Sequence, residues 1–240
     1  MKLKILYEDS NILAIEKPSG ILVHPVPEQA RYGTSPDKNS EETILSLFRK
    51  KYKKIEIVHR LDKETSGVML LAKNTKAHEF LKEQFQERTI KKTYIALLDG
   101  WVRNDRGVIN KPIGRSPKDF RRYLAGRGVR GELREAVTGY KVINRLSISS
   151  HKYTYIEAYP KTGRTHQIRV HMKYLNHPIV GDNLYNPAEL PLPNLSLRKG
   201  EEKRGDRMML HAKSIEFENL KGEILKIESP IPLLFKKIVK

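Results

Sequence analysis

Apolar and polar positions alternate in short runs along most of the chain, a period-two pattern that predicts strands more often than helices. Residues 4–7 and 12–16 read as two short strands joined by the turn cluster Glu8-Asp9-Ser10-Asn11. Lys17-Pro18-Ser19-Gly20 makes a second turn before the apolar segment 21–23. Residues 68–72 form a continuous apolar run, as in a central strand buried on both faces. Further runs rich in β-branched and aromatic residues fall at 92–98, 108–113, 137–144, 153–159, 214–218 and 223–227. Helical spacing is confined to three places. Residues 75–88 put Ala77, Phe80, Leu81 and Phe85 on one face. Residues 41–52 carry Ile44, Leu45, Leu47 and Phe48, with Asn39 and Glu42 as a capping pair. Residues 166–175 turn Ile168, Met172 and Leu175 inward, with Thr165 as the expected cap. Residues 25–40 read as a loop, and polar insertions occupy 114–134 and 186–206. Many strands with few helices predict an α+β fold with a mostly antiparallel sheet. No repeat and no linker divides the chain.

Composition narrows the partner. The chain has 240 residues, 38% of them hydrophobic, enough for one sizeable core or two modest ones. Its 46 Lys and Arg against 28 Asp and Glu leave a formal charge of +18, which points to a polyanion, most commonly nucleic acid. An anionic membrane surface is the alternative, but there is no basic amphipathic helix of the interfacial kind and no run long enough to span a bilayer. The absence of cysteine excludes disulfides, thiolate zinc sites and Cys nucleophiles. The amino terminus lacks the apolar core of a secretory signal, so a soluble cytoplasmic protein is expected.

Three segments carry candidate chemistry. In VHRLDKETSGVMLLAKN, Asp62 sits in a tight loop just before the buried run, among His59, Arg60, Lys63, Thr65, Ser66 and Gly67. Alone, such residues are ordinary turn formers; hung from a rigid strand, the loop is also a good mount for a catalytic group. In YPKTGRTHQIRVH, a Gly turn leads into a helix with Arg164, His166, Gln167, Arg169 and His171 in close succession. Free amides at a helix start and Arg forks suit an anion, while a solvated basic face is the plain alternative. His166 and His171, five residues apart, do not share a face as metal ligands would. In KKTYIAL, Tyr94 alternates into an apolar strand, where a tyrosine is most often part of the core.

Taken together, HRLDKETSG, KKTYIAL, KTGRTHQIRVHM and LNHPIVGDNLY resemble the RluA-type pseudouridine synthases, along with the opening YEDSNILAIEKPSGILVHP and the late MLHAKSIEF and ESPIP. The resemblance covers nearly the whole chain. It implies the pseudouridine synthase fold, a bent, mainly antiparallel mixed sheet with flanking helices, over residues 1–240 as a single catalytic domain. No amino-terminal S4-type domain is expected, because family-like sequence begins within the first ten residues. It implies Asp62 as the catalytic aspartate, Tyr94 against the target base, Arg169 as the cation paired with the aspartate, and Arg60 holding a flipped-out nucleotide. His59 and Thr65 are implied as supports of that loop at the substrate, and Arg164, His166 and Gln167 as part of the substrate-binding motif. No metal, cofactor or redox partner is required. Between Lys111 and Glu135 eight basic residues, among them Arg115, Arg121 and Arg122, face only Asp119, Glu132 and Glu135, with Phe120 and Tyr123 interleaved. This insertion reads as a mobile RNA-gripping arm, or as a solvated loop. Ribosomal large-subunit RNA is the expected substrate, tRNA the second choice, and a monomer the expected state. A non-catalytic RNA-binding protein or a metal-dependent nuclease would share the charge; the first has no need of Asp62, and the second needs clustered carboxylates that are not found.

Overall fold

The alternating runs become the strands of one large mixed sheet, described in a computed structural model over residues 3–25, 42–148, 150–187 and 207–239. β1 (Lys4–Glu8) and β2 (Ile12–Lys17) pair antiparallel, their turn closed by Asp9, whose Oδ1 accepts from the amides of Asn11 at 2.7 Å and Ile12 at 2.6 Å. β2 pairs with β4 (Ser66–Ala72), which is buried at all seven positions, as its apolar run predicts. The two-residue β3 (Glu56–Ile57) joins β4 from the other side. From β4 the sheet continues through β12 (Leu210–Glu218), β5 (Lys91–Asp99), β11 (His151–Pro160), β10 (Val137–Ile148) and β6 (Arg106–Asn110), with β13 (Ile224–Glu228) also on β12. Among the described strands only β4 and β12 run parallel, at His211 opposite Ser66 and Ala212 opposite Gly67. There the strands nearly touch. A Cβ on Gly67, whose φ is +117°, would overlap the Ala212 carbonyl, so glycine is required at this joint.

Two apolar cores lie on either side of the joint. One gathers Leu70, Leu71 and Ile12 with α1 (Ile44–Arg49) and α2 (Thr75–Glu87). The other gathers Leu97, Ile156 and Phe235 with α3 (Gln167–Tyr174) and α4 (Leu233–Val239). Tyr94 packs against both. Among the described residues no helix is long and apolar enough to cross a membrane.

The boundaries differ from expectation where local chemistry outweighs pattern. α1 is shorter than 41–52 and starts at a capping box, in which Thr43 Oγ1 accepts from the Ser46 amide at 3.1 Å and Ser46 Oγ accepts from the Thr43 amide at 2.9 Å. The expected partner Asn39 lies outside the described residues. The strand expected over 108–113 stops at Asn110, before Pro112, which has no N–H for a ladder. The insertion expected as a mobile arm is folded into a second sheet of β7 (Ile113–Arg115), β8 (Tyr123–Ala125) and β9 (Arg130–Arg134), in the order β8-β7-β9. Most of the 186–206 insertion lies outside the described residues.

Candidate active site

Asp62 is placed by a strapped loop. Lys17, at the end of β2, is fully buried, and its Nζ donates to the carbonyls of Pro18 at 3.0 Å, Lys63 at 2.8 Å and Thr65 at 2.8 Å. Burial pulls this ammonium down to about 7, against the opposing charges of Glu64 and Asp62. The Gly20 amide donates to the Lys63 carbonyl at 2.9 Å, Ser19 Oγ to the Glu64 carbonyl at 2.7 Å, and the Thr65 amide to the Asp62 carbonyl at 3.1 Å. Thr65 is buried and serves the loop through its backbone. His59 ties the loop to β4: its Nε2 accepts from the Leu70 amide at 2.9 Å and its ring stacks on Phe85. That bond leaves the proton on Nδ1, and burial followed by the Lys92 charge takes the ring down to about 3. His59, expected toward substrate, therefore spends its acceptor inside the protein, although its ring edges the cavity.

Arg169 reaches Asp62 from α3. Its Nη1 donates to Asp62 Oδ2 at 3.1 Å, while its Nε and Nη2 fork onto Asp182 at 2.7 and 2.8 Å. Asp182 has no exposed side-chain surface, and its Oδ1 also accepts from the amides of Leu184 and Tyr185 at 3.1 Å each. Burial works against the guanidinium, but the bonds and charge of Asp182 and then Asp62 prevail and raise it above the ordinary arginine value. With Oδ2 held, Asp62 Oδ1 is the oxygen left open to the cavity, 4.0 Å from His166 Nε2.

His166 stands at the N-cap of α3 with φ +56°, where Thr165 was expected. The end is closed instead by Gln167, whose Oε1 accepts from the Arg164 amide at 3.0 Å and from Thr162 Oγ1 at 2.7 Å. Gln167 Nε2 donates to the Val137 carbonyl and Thr138 Oγ1, so its buried amide is satisfied within the fold where the residue lines the cavity. His166 Nδ1 meets the Tyr185 hydroxyl at 3.0 Å, and burial lowers its pKa despite the Asp62 charge. Arg164 edges the cavity while its Nε donates to the Glu135 carbonyl at 2.9 Å. Tyr94 lines the wall, half-buried, and burial and then Asp62 raise its phenol well above the usual range. Arg60 is exposed at the rim, 3.4 Å from His24.

Arg115, Arg121 and Arg122 do not reach the cavity. Arg121 forks onto Asp119 at 3.0 and 2.9 Å, Arg122 lies 3.5 Å from the same carboxylate, and Arg115 sits over the Tyr123 ring. The arm still touches the site. Tyr123 packs edge-on against His166, and its amide donates to the Tyr185 hydroxyl at 2.9 Å. Asp182, Tyr185 and Lys17 are the positions that sequence reasoning left without a role. An Asp directly after Gly in the apolar stretch PIVGD is a usable signal, since such an Asp is rarely buried without a partner.

The cavity measures about 440 Å³ and offers one open carboxylate oxygen, one tyrosine and a cationic rim. Such a site can set a nucleophile or base against a substrate with an anionic backbone. Its histidines also set an acid limit. His59 at about 3 and His211, fully buried on Ser66 and at about 4, lie below the unfolded value of 6.5, so the unfolded chain binds more protons as pH falls. Stability should fall from pH 6.5 to 5, where carboxylates stay ionised, with a slope approaching about 1.4 kcal/mol per pH unit for each ring. Urea midpoints across that window measure it; a flat series would contradict it.

The model of the RNA pseudouridylate synthase family matches residues 11–174. An uncharacterized RNA pseudouridine synthase of Aquifex aeolicus is 38% identical over 98% of this chain and 72% of its own length. The ribosomal large subunit pseudouridine synthase D of Xanthomonas campestris is 38% identical over 96% of this chain and 66% of its own. Among solved structures, human RNA pseudouridylate synthase domain containing 1 superposes with a TM-score of 0.74 at 27% identity, over 96% of this chain and 84% of that one. The chain belongs to the RluA-type RNA pseudouridine synthases, isomerases that convert uridine in RNA to pseudouridine.

Proposed function

We propose that Asp62 carries the isomerisation, with Arg169 and Tyr94 beside it, on a uridine of large-subunit ribosomal RNA. The observation that carries the reading is the chain of Asp182, Arg169 and Asp62, which fixes one carboxylate oxygen and leaves the other open beside Tyr94. The N1–C1′ bond breaks, the uracil turns, and a C5–C1′ bond forms; C5 loses its hydrogen and N1 gains one. Asp62 Oδ1 acts as nucleophile or base in that sequence. A paired uridine must first be flipped out, at a few kcal/mol. Tyr94 offers a face for the freed base, worth about 1–3 kcal/mol in stacking, and Arg60 holds the nucleotide at the rim. The ribosomal choice is supported by similar relatives named as large-subunit synthases in Xanthomonas, Borreliella and Neisseria. Pseudouridine mapping at single-nucleotide resolution, after incubation with unmodified rRNA and tRNA, tests it. A new site in large-subunit rRNA supports the reading; sites in tRNA alone move the substrate there.

The folded arm grips the RNA backbone. Arg115, Arg127 and Arg130 are exposed. Replacing all three with Gln should weaken RNA binding about tenfold or more. It should also flatten the log–log salt dependence by roughly 0.9 for each duplex phosphate that the variant no longer neutralises. An unchanged slope in a filter-binding salt series would remove the arm from the interface.

A further inference from the structure

The two lysines that open β5 have opposite fates. Lys91 is exposed and pairs with Glu216 at 2.6 Å. Lys92, one position on and therefore on the other face, turns into the active-site cavity. Its Nζ hangs 5.9 Å over the Phe85 ring, and no ion pair or hydrogen bond joins it to any described residue. Burial alone lowers its pKa, and its charge is felt by the neighbouring His59. Lys92 is half-buried, and holding an ammonium partly out of water without a counter-charge costs free energy that an incoming anion would offset.

The position says which anion. Lys92 and Tyr94 are two residues apart on one strand, so they share a face about 7 Å apart. If Tyr94 carries the flipped base, Lys92 stands one step along from it, inside the same cavity that Arg60 and Arg88 line. Arg88 is already bonded to Glu135 at 2.8 Å, whereas Lys92 has no anionic partner among the described residues.

We propose that Lys92, with Phe85 and His59 around its stem, forms an anion subsite that takes one RNA phosphodiester adjacent to the target uridine. It is a substrate-positioning contact, resting on the reading above that Tyr94 faces the base. Lys92 contributes to binding the strand and does no bond chemistry. An empty subsite is a local destabilisation that RNA relieves, so the residue trades fold stability for affinity.

The test uses the full chain and a short RNA stem-loop containing the mapped uridine. Three versions are needed: the natural one, and two in which the phosphate 5′ or 3′ of the target is a neutral methylphosphonate. Lys92→Met keeps the half-buried stem and removes the charge. It should bind the natural RNA about tenfold more weakly, flatten the salt slope by about one, and leave the single-turnover maximal rate within a few-fold. Its melting temperature should equal or exceed that of the unsubstituted protein, and Lys92→Arg should restore most of the affinity. On one of the two methylphosphonate RNAs, the unsubstituted protein and Lys92→Met should bind alike. Equal binding of natural RNA by both proteins overturns the subsite. So does a tenfold deficit that persists on both neutral RNAs, which would move the contact to a uracil carbonyl. The unsubstituted protein on natural RNA is the separate control: no pseudouridine there sinks the proposed reaction, whereas full turnover with an indifferent Lys92 sinks the subsite alone.

Discussion

Asp62→Asn is expected to abolish pseudouridine formation, by about 10⁴-fold or more, while leaving RNA affinity within a few-fold. Asn matches the shape of Asp and still offers Arg169 an oxygen, so the cavity and its cationic rim persist. What it lacks is the charge and lone-pair basicity that a nucleophile or base requires. Asp62 is about one-fifth exposed, so the fold should tolerate the change. Single-turnover release of the C5 hydrogen from labelled RNA measures the rate, and equilibrium binding at the same salt measures affinity. Turnover within a hundredfold of the unsubstituted protein would show that another group does the chemistry.

The largest stability effect should come from Asp182. Asp182→Ala removes both acceptors of the Arg169 fork and the bonds to the Leu184 and Tyr185 amides, leaving a buried guanidinium with only Asp62 to meet it. Breaking one side of such a pair costs about 3–5 kcal/mol. Activity should fall about a hundredfold even where the variant stays folded, because an unanchored Arg169 is free to fork onto Asp62 and cover the oxygen that must react. Asp182→Asn, which keeps one acceptor and the shape, should lose less of both. Urea unfolding beside single-turnover rates separates the two effects; a loss below about 1 kcal/mol for Asp182→Ala would refute the anchoring role.

How far the sequence foretold this site depends on how far apart the partners lie. The strand β4 was legible because seven consecutive buried positions write an apolar run in one place. The helix α2 was legible because its apolar positions recur at helical spacing, though not its cap, in which Asn74 accepts from the Ala77 amide at 2.9 Å. Lys17 looked like a turn residue, because the carbonyls of Lys63 and Thr65 that it binds lie 46 and 48 positions away. Gln167 carried no mark of its bonds within the fold, because its partners Val137 and Thr138 lie on β10, 30 and 29 positions away. The left-handed backbone at His166 moved the start of α3 past Thr165, a shift no spacing rule anticipates. The basic insertion misled in the opposite way. Its charge and glycines suggested mobility, while the Tyr123 contacts that dock it on the site depend on tertiary placement.

The insertion also leaves and re-enters the large sheet at neighbouring points. Asn110 on β6 faces Val137 on β10, and the Lys111 amide bonds to the Ala136 carbonyl at 3.2 Å, so the ladder closes beneath the arm as it would beneath a hairpin turn. Lengthening or replacing what lies between costs little closure entropy, since that term grows only with the logarithm of length. Asp62, Arg169 and Asp182 all sit outside the inserted segment. On the function proposed above, RNA gripping and bond chemistry fall on separable pieces of chain, so exchanging the arm should change which RNA is bound while Asp62 keeps its own partners.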